Sequence, residues 1–249
     1  MTAIRDLHRR KGRERRGLAL AEGIRLVEEM LAANAACKGA VASPALGATA
    51  RGAQLHRELL QRGIEVDEVT DAELADLADT EHPQGIVAVF QVPIWPIDSL
   101  APRPGRPLVV LDGVQDPGNV GTIARTARAF GAAGIVALPG TADLTNPKTV
   151  RGAMGALFTL PHLHAAEADL VDRIATWGAD LWAMTLTGQA LSSESAGRPI
   201  ALVFGNEGAG IQPSILALAT RQVTIPVQPG TESLNVATAA GIALYLVSR

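Results

Sequence analysis

Three short segments in the second half of the chain carry residue types that can do chemistry. In the first, "LDGVQDPGNVGTIARTARAFGA" (residues 111–132), Val120, Ile123, Ala124 and Ala127 share one helical face, leaving Arg125 and Arg128 on another, near the helix start. Pro117 and Gly118 make a turn, and Asn119 is suited to cap the helix. Two readings are open: a capped helix with solvated arginines, or an anion site in which helix amides and a guanidinium receive a phosphate. In the second segment, "ALVFGNEGAGI" (residues 201–211), an apolar strand runs into three glycines that hold Asn206 and Glu207 between them. Glycine there permits either a plain tight turn or close approach of backbone to a ligand. The spacing is neither the dinucleotide fingerprint nor a P-loop. In the third, "VTIPVQPGTESLNVATAAGIALYLV" (residues 223–247), Pro226 and Pro229 stop a strand, and Ser233 or Asn235 can cap a helix. Its small residues Ala237, Ala239, Ala240 and Gly241 permit close packing on a sheet, in a knotlike crossing, or on another subunit.

Other residues offer less. His162 and His164 face one side of a strand without a third ligand at metal spacing, so no metal site is expected. Neither G-x-S-x-G nor H-E-x-x-H occurs, which leaves hydrolase and metalloenzyme readings without an anchor. Cys37 is the lone cysteine and reads as a packing residue.

The elements that must position these segments follow from periodicity. Residues 17–33 place Leu20, Ile24, Val27 and Leu31 on one stripe, predicting a single amphipathic helix. A strand near 39–42, a helix over 50–62, a strand over 64–69, a capped helix from 71 and a strand over 85–92 make a small α/β domain. Five prolines within 92–107 mark a linker, taken as 94–106. Beyond it, strands are predicted at 108–112, 134–138, 158–163, 180–185, 200–204 and 222–226, with a last helix over 235–247. Several are apolar on both faces, as in a parallel sheet covered by helices. Each chemical segment follows a strand, where the loops of open α/β sheets converge on one crevice. The expected division is 1–93, linker, and 107–249.

Composition bounds the function. The 249 residues are 47% apolar with 22 Lys+Arg against 25 Asp+Glu, which excludes a disordered chain, and one Cys excludes a disulfide scaffold. No apolar run reaches the roughly 20 residues that span a bilayer, and no secretory signal is read, so a cytoplasmic location is expected. The net charge of −3 hides an asymmetry, because residues 1–25 hold eight basic side chains against three acids, a local +5. Arg9, Arg10, Arg13 and Arg15 are candidate contacts to a polyanion's phosphates in this arm, unless it is only a solvated face.

Together and in this order, the three segments resemble the signature motifs of the SpoU (TrmH-type) RNA ribose 2′-O-methyltransferases. The pattern N-x-G-x-x-x-R-x-x-x-x-F-G is met by Asn119, Gly121, Arg125, Phe130 and Gly131. The G-x-E-G-x-G loop is met by Gly205, Glu207, Gly208 and Gly210. The run I-P-x-x-x-x-x-E-S-L-N-V-x-x-A-A-G is met by Ile225, Pro226, Glu232, Ser233, Leu234, Asn235, Val236 and Ala239 to Gly241. Ala237 departs from a serine often found there. The N-terminal part, with "EGIRLVEEML", looks like the ribosomal-protein-like substrate-binding domain often attached to these enzymes.

The resemblance implies a C-terminal trefoil knot, S-adenosylmethionine as cofactor, and a homodimer formed through the catalytic domain. It implies that Thr185, Leu186, Gly205, Ile225 and Leu234 contact the cofactor, and that Arg125, Asn119, Glu207, Ser233 and Asn235 form the catalytic set. Arg125 would act on the ribose 2′-hydroxyl either as a base or, as the guanidinium's strong hold on its proton favours, as an electrostatic clamp. Large-subunit (23S-type) ribosomal RNA is the first expected substrate, with transfer RNA or an antibiotic-resistance rRNA site as alternatives. A silent RNA-binding protein and a base-nitrogen methyltransferase are the rival classes.

Overall fold

The computed structural model describes residues 2–192, 198–230 and 232–248. The elements run α1 (Thr2–Leu7), α2 (Arg10–Arg16), β1 (Leu18–Glu22), α3 (Ile24–Ala32), β2 (Cys37–Ala42), α4 (Pro44–Gly47), α5 (Ala50–Gln61), β3 (Val66–Glu68), α6 (Asp71–Ala75) and β4 (Ile86–Gln91). They continue with β5 (Leu108–Asp112), α7 (Pro117–Ala129), β6 (Gly134–Ala137), α8 (Pro147–Ala153), β7 (His162–His164) and α9 (Glu167–Thr176). The last are β8 (Asp180–Ala190), β9 (Ile200–Gly205), α10 (Pro213–Leu218), β10 (Arg221–Thr224) and α11 (Val236–Val247).

The chain folds into two compact units. The first comprises Met1–Ile94 together with Thr145–Thr159. Its four-stranded sheet has the order β1-β4-β2-β3, with β4 antiparallel to both neighbours and β2 parallel to β3. The core beneath it joins Leu20, Val41 and Val87 of the strands to Ile4 and Leu7 of α1 and to Leu74 and Leu77. The basic arm is therefore helical and anchored: each fully buried leucine contributes about 1.5–3 kcal/mol. The single helix expected over 17–33 is instead strand β1 and helix α3. Gly23, at φ 95°, separates them in a conformation open to glycine. Leu18 to Glu22 pair with β4, and this long-range ladder overrides a helical stripe that had counted Leu20.

The second unit comprises Trp95–Leu144 and Leu160–Arg249. Its six strands are all parallel, in the order β10-β8-β9-β5-β6-β7. β5, β6 and β9 are buried almost throughout, which accounts for their unbroken apolar runs. The strand expected at 158–163 begins only at His162, since Ala156–Phe158 forms a short 3-10 turn. The proline-rich stretch is tied down at Leu100, which is fully buried in this unit's core beside Val110 and Val136. Among the described residues, no helix is long and apolar enough to cross a membrane.

Candidate active site

Parallel pairing brings the carboxyl ends of β10, β8 and β9 side by side, and the described residues Thr185, Leu186, Gly205 and Ile225 near those ends make up the candidate cofactor cradle. The middle strand is irregular in a particular way. Gln222 pairs with Ala183, yet the next residue, Val223, pairs with Gln189, so residues 184–188 bulge out of β8 opposite a single step of β10. Thr185 and Leu186 lie in this bulge. The Thr185 hydroxyl is buried without a hydrogen-bond partner, and the Leu186 side chain stands in solvent at 72% exposure. The bulge returns through Gly188, where a Cβ would come within 2.5 Å of the Val223 nitrogen, so no larger residue fits. Ile225 and Leu234, both half-buried, follow β10.

Gly205 ends β9 and opens the glycine loop. A Cβ on it would stand 2.4 Å from the Gly210 carbonyl carbon, because Asn206 and Gly210 bond each other's backbone at 2.9 Å in both directions. The Asn206 side chain then ties the loop internally: its Oδ1 accepts from the amides of Gly208 at 2.9 Å and Ala209 at 2.8 Å, while its Nδ2 donates to the Gly113 carbonyl at 2.8 Å. Asp112, buried at the end of β5, accepts from the Gln212 amide at 2.7 Å and from its side chain at 2.6 Å. Sequence reasoning named Asn206 in the loop without giving it a role and passed over Asp112. The available signals were an amide between two glycines and a charge ending a fully apolar strand.

The loop projects Glu207 toward α7. Asn119 donates from Nδ2 to Glu207 Oε1 at 2.9 Å, and Asn235 donates from Nδ2 to Asn119 Oδ1 at 3.1 Å. The Gln115 amide adds a bond to Glu207 Oε2 at 3.3 Å. One polar chain thus links residues from all three sequence segments. Burial pushes the Glu207 carboxyl up, but the bonds from Asn119 and from the backbone of Glu207, Gln115 and Asp116 together outweigh it and hold the group below its ordinary value. Asn235 is the N-cap of α11, accepting from the amides of Ala237 at 2.9 Å and Thr238 at 3.3 Å. Asn119 does not cap α7. Asp116 does, with Pro117 in the first turn, which places Asn119 inside that turn with its amide side chain free to bridge Glu207 and Asn235.

Arg125 lies on the exposed side of α7 and makes no ion pair among the described residues. Ser233 is exposed two residues before Asn235 and makes no hydrogen bond to this chain of side chains among the described residues. The outer faces of α7 and α11 meet closely: Thr126 Cγ2 is 3.6 Å from a Cβ built on Gly241, and the Phe130 and Tyr245 rings cross edge to face at 5.8 Å.

In the first unit the basic arm is less available than its sequence suggests. Arg13 is only 3% exposed, and its guanidinium donates to the carbonyls of Leu7 at 2.9 Å and His8 at 3.0 Å and to Thr145 Oγ1 at 3.0 Å. The expectation that it contacts RNA is corrected: a guanidinium enclosed by three acceptors is a structural lock. Arg15 and Arg16 share Asp6 at 2.7 and 2.8 Å, and Arg10 pairs with Glu14 at 2.7 Å. Arg9 and Lys11 remain exposed. His162 is buried against the Leu160 carbonyl, with its pKa lowered by that burial, while His164 faces Asp143 at 3.7 Å. Among the described residues, no group of three or more His, Cys, Asp or Glu is placed to hold a metal.

Residues 106–245 match the SpoU rRNA Methylase family, and residues 1–88 match the MRM3-like substrate binding domain. The chain belongs to the SpoU rRNA methylase family. It is 33% identical to the 23S rRNA (guanosine(2553)-2′-O)-methyltransferase RlmP of Bacillus subtilis, over 97% of this chain and 92% of the relative. It is 32% identical to the 23S rRNA (uridine(2479)-2′-O)-methyltransferase of Streptomyces viridochromogenes, over 76% of this chain and 69% of that one. Among solved structures, the AdoMet-bound rRNA methyltransferase from Sinorhizobium meliloti superposes with a TM-score of 0.85 at 31% identity, covering 99% of this chain and 92% of that chain.

Proposed function

We propose that this protein transfers a methyl group from S-adenosylmethionine to a ribose 2′-hydroxyl of large-subunit ribosomal RNA. The observation that carries the reading is the polar chain Glu207, Asn119, Asn235 set beside the cradle at the ends of β8, β9 and β10. The cradle fits the cofactor: it offers an unpartnered buried hydroxyl at Thr185, apolar surface at Leu186, Ile225 and Leu234, and backbone made approachable by Gly188 and Gly205. When bound there, S-adenosylmethionine supplies an electrophilic sulfonium methyl group.

The residues of the chain orient the nucleophile and meet its charge. The Arg125 guanidinium, a planar cation with a fork of N–H donors, clamps an RNA phosphate and stabilises negative charge developing on the 2′-oxygen. Asn119, Asn235 and Ser233 orient the ribose, and Glu207 holds Asn119 in place. Exposed Arg9 and Lys11 of the arm supply phosphate contacts to RNA. Relatives named for guanosine and uridine 2′-O-methylation share their chemistry at the sugar, which favours this reading over methylation of a base nitrogen.

The protein works as a homodimer in the cytoplasm. Phe130, Ile242 and Tyr245 expose 36%, 36% and 42% of their surface on the joined faces of α7 and α11, a patch suited to a second copy. The C-terminal segment threads as a trefoil knot, consistent with α11 packing back on α7 after the chain leaves edge strand β10. The test is incubation with methyl-labelled S-adenosylmethionine and rRNA from a strain lacking the protein, followed by complete nuclease digestion. Label in a 2′-O-methylated nucleoside is expected, and label on a base would overturn the reading.

A further inference from the structure

The first unit holds a cavity of about 270 Å³ at the carboxyl ends of the parallel strands β2 and β3, bounded by Ser43, Pro44, Leu46, His56, Glu68 and Val69. Ser43 is 6% exposed and its hydroxyl is buried without a hydrogen-bond partner. The reason is local. Ser43 precedes α4 where a serine ordinarily caps, but the Ala45 amide is taken by Asp71 Oδ1 at 3.2 Å and the Leu46 amide by the Ser43 carbonyl at 3.0 Å. The hydroxyl is left without a partner in a residue that lines the cavity. His56, half-buried on α5, and Glu68, exposed at the end of β3, also make no hydrogen bond or ion pair among the described residues. Leu46 and Val69 supply apolar wall. Arg57 follows His56 and is exposed without an ion-pair partner among the described residues.

A small half-apolar cavity with an unsatisfied hydroxyl, an imidazole and a carboxylate is matched by one planar heterocycle carrying N–H donors and ring acceptors. We infer that this cavity receives a single unpaired nucleobase of the RNA substrate, extruded from its stack. Its edge would bond Ser43 Oγ and His56, an amino or imino group would donate to Glu68, and its faces would rest on Pro44 and Leu46. Arg57 would meet the adjoining phosphate. The inference rests on the proposed action on RNA but concerns the unit that lacks the cofactor cradle, so the two are tested apart.

The experiment uses the full chain and a labelled single-stranded RNA of mixed sequence about ten nucleotides long, followed by anisotropy. Ser43→Val, which replaces the hydroxyl by methyl groups of similar reach, and Glu68→Gln, a change at an exposed position that leaves the fold intact, should each weaken binding about tenfold, the loss of one good polar contact. An abasic oligomer of the same length should bind the wild type more weakly than the intact RNA binds Glu68→Gln, since it loses every contact to the base. The His56 ring protons should shift in NMR spectra with the intact RNA and stay still with the abasic one. Equal affinity of intact and abasic RNA, or wild-type affinity in Glu68→Gln, would overturn the inference. Calorimetry of the same variants with S-adenosylmethionine should give wild-type affinity. Absence of cofactor binding in the wild type would sink the proposed activity without touching the cavity.

Discussion

Arg13→Ala should loosen the N-terminal unit far more than it weakens its grip on RNA. The guanidinium is 3% exposed and makes three bonds between 2.9 and 3.0 Å, two of them to carbonyls at the end of α1 and beyond it and one to Thr145. Bonds from a charged donor are worth about 1.5–3 kcal/mol each when a buried partner is left unsatisfied, and such values do not add fully, so the expected cost is about 3–5 kcal/mol. Since about 1.4 kcal/mol is a factor of ten, amides of α1, α2 and β1 should exchange with solvent at least a hundredfold faster. Hydrogen exchange is the right assay because Trp95, Trp177 and Trp182 all lie in the second unit, which leaves tryptophan fluorescence blind to the first. Arg13→Lys keeps the charge but not the fork of donors, and should recover only part of the protection. At a temperature where the variant stays folded, the slope of log affinity for RNA against log salt should match the wild type, whereas Arg9→Ala should lower it by about one phosphate contact. Wild-type exchange in Arg13→Ala, with a salt slope reduced by one, would refute the assignment of Arg13 as a lock.

Arg125→Ala should bind S-adenosylmethionine within about twofold of the wild type yet lose methyl transfer by a hundredfold or more, as expected when one charge-stabilising donor is removed; comparable turnover with labelled cofactor would eliminate its role. In Asn119→Ala, Glu207 keeps its burial and loses its side-chain donor, so its carboxyl pKa should rise in a carbon-13 NMR titration. Because the folded value in the wild type is depressed, Glu207 contributes stability that is present above about pH 4.3 and is lost as pH falls through the lower folded value; the variant should lack that acid-side contribution, and an unchanged titration would remove Asn119 as its cause. Gly205→Ala forces a Cβ against the Gly210 carbonyl carbon at 2.4 Å, and calorimetry should show cofactor affinity down at least tenfold; wild-type affinity would show that the loop can move aside.

What could be read in the sequence followed from how far each signal had to travel. The parallel strands β5, β6 and β9 announce themselves by apolar runs because both faces are covered, and the predicted boundaries fall within a residue or so of those observed. The start of α11 was legible because Asn235 is a cap whose partners lie two and three residues on. The cap of α7 was misassigned to Asn119 for an equally local reason: Asp116 stands just before Pro117, and a proline in the first turn moves the cap ahead of it. Non-local arrangements were not legible. Nothing near Leu20 reveals that its strand pairs with residues 87–91, and nothing near Thr145 reveals that the segment Thr145–Thr159 folds with the N-terminal unit, tied there by Arg13 and by Arg151 with Asp79 at 3.0 Å. The bulge of β8 was equally hidden, since its size is set by how β10 realigns beside it.

The same distinction governs the charge. Counting residues placed a surplus of +5 in the first 25 positions, yet folding assigns much of it to internal partners: Arg13 to carbonyls, Arg15 and Arg16 to Asp6, and Arg10 to Glu14. Among the described residues Arg9, Lys11 and Arg25 stand exposed without an ion pair, fewer free phosphate contacts than the eight basic side chains suggest. The fewer arm cations are free, the larger the share of RNA affinity that contacts to bases would carry. Base recognition by the first unit is thus favoured by how folding engages the arm's charge as well as by the cavity. It also makes RNA affinity in the full chain less salt-dependent than eight basic residues would suggest.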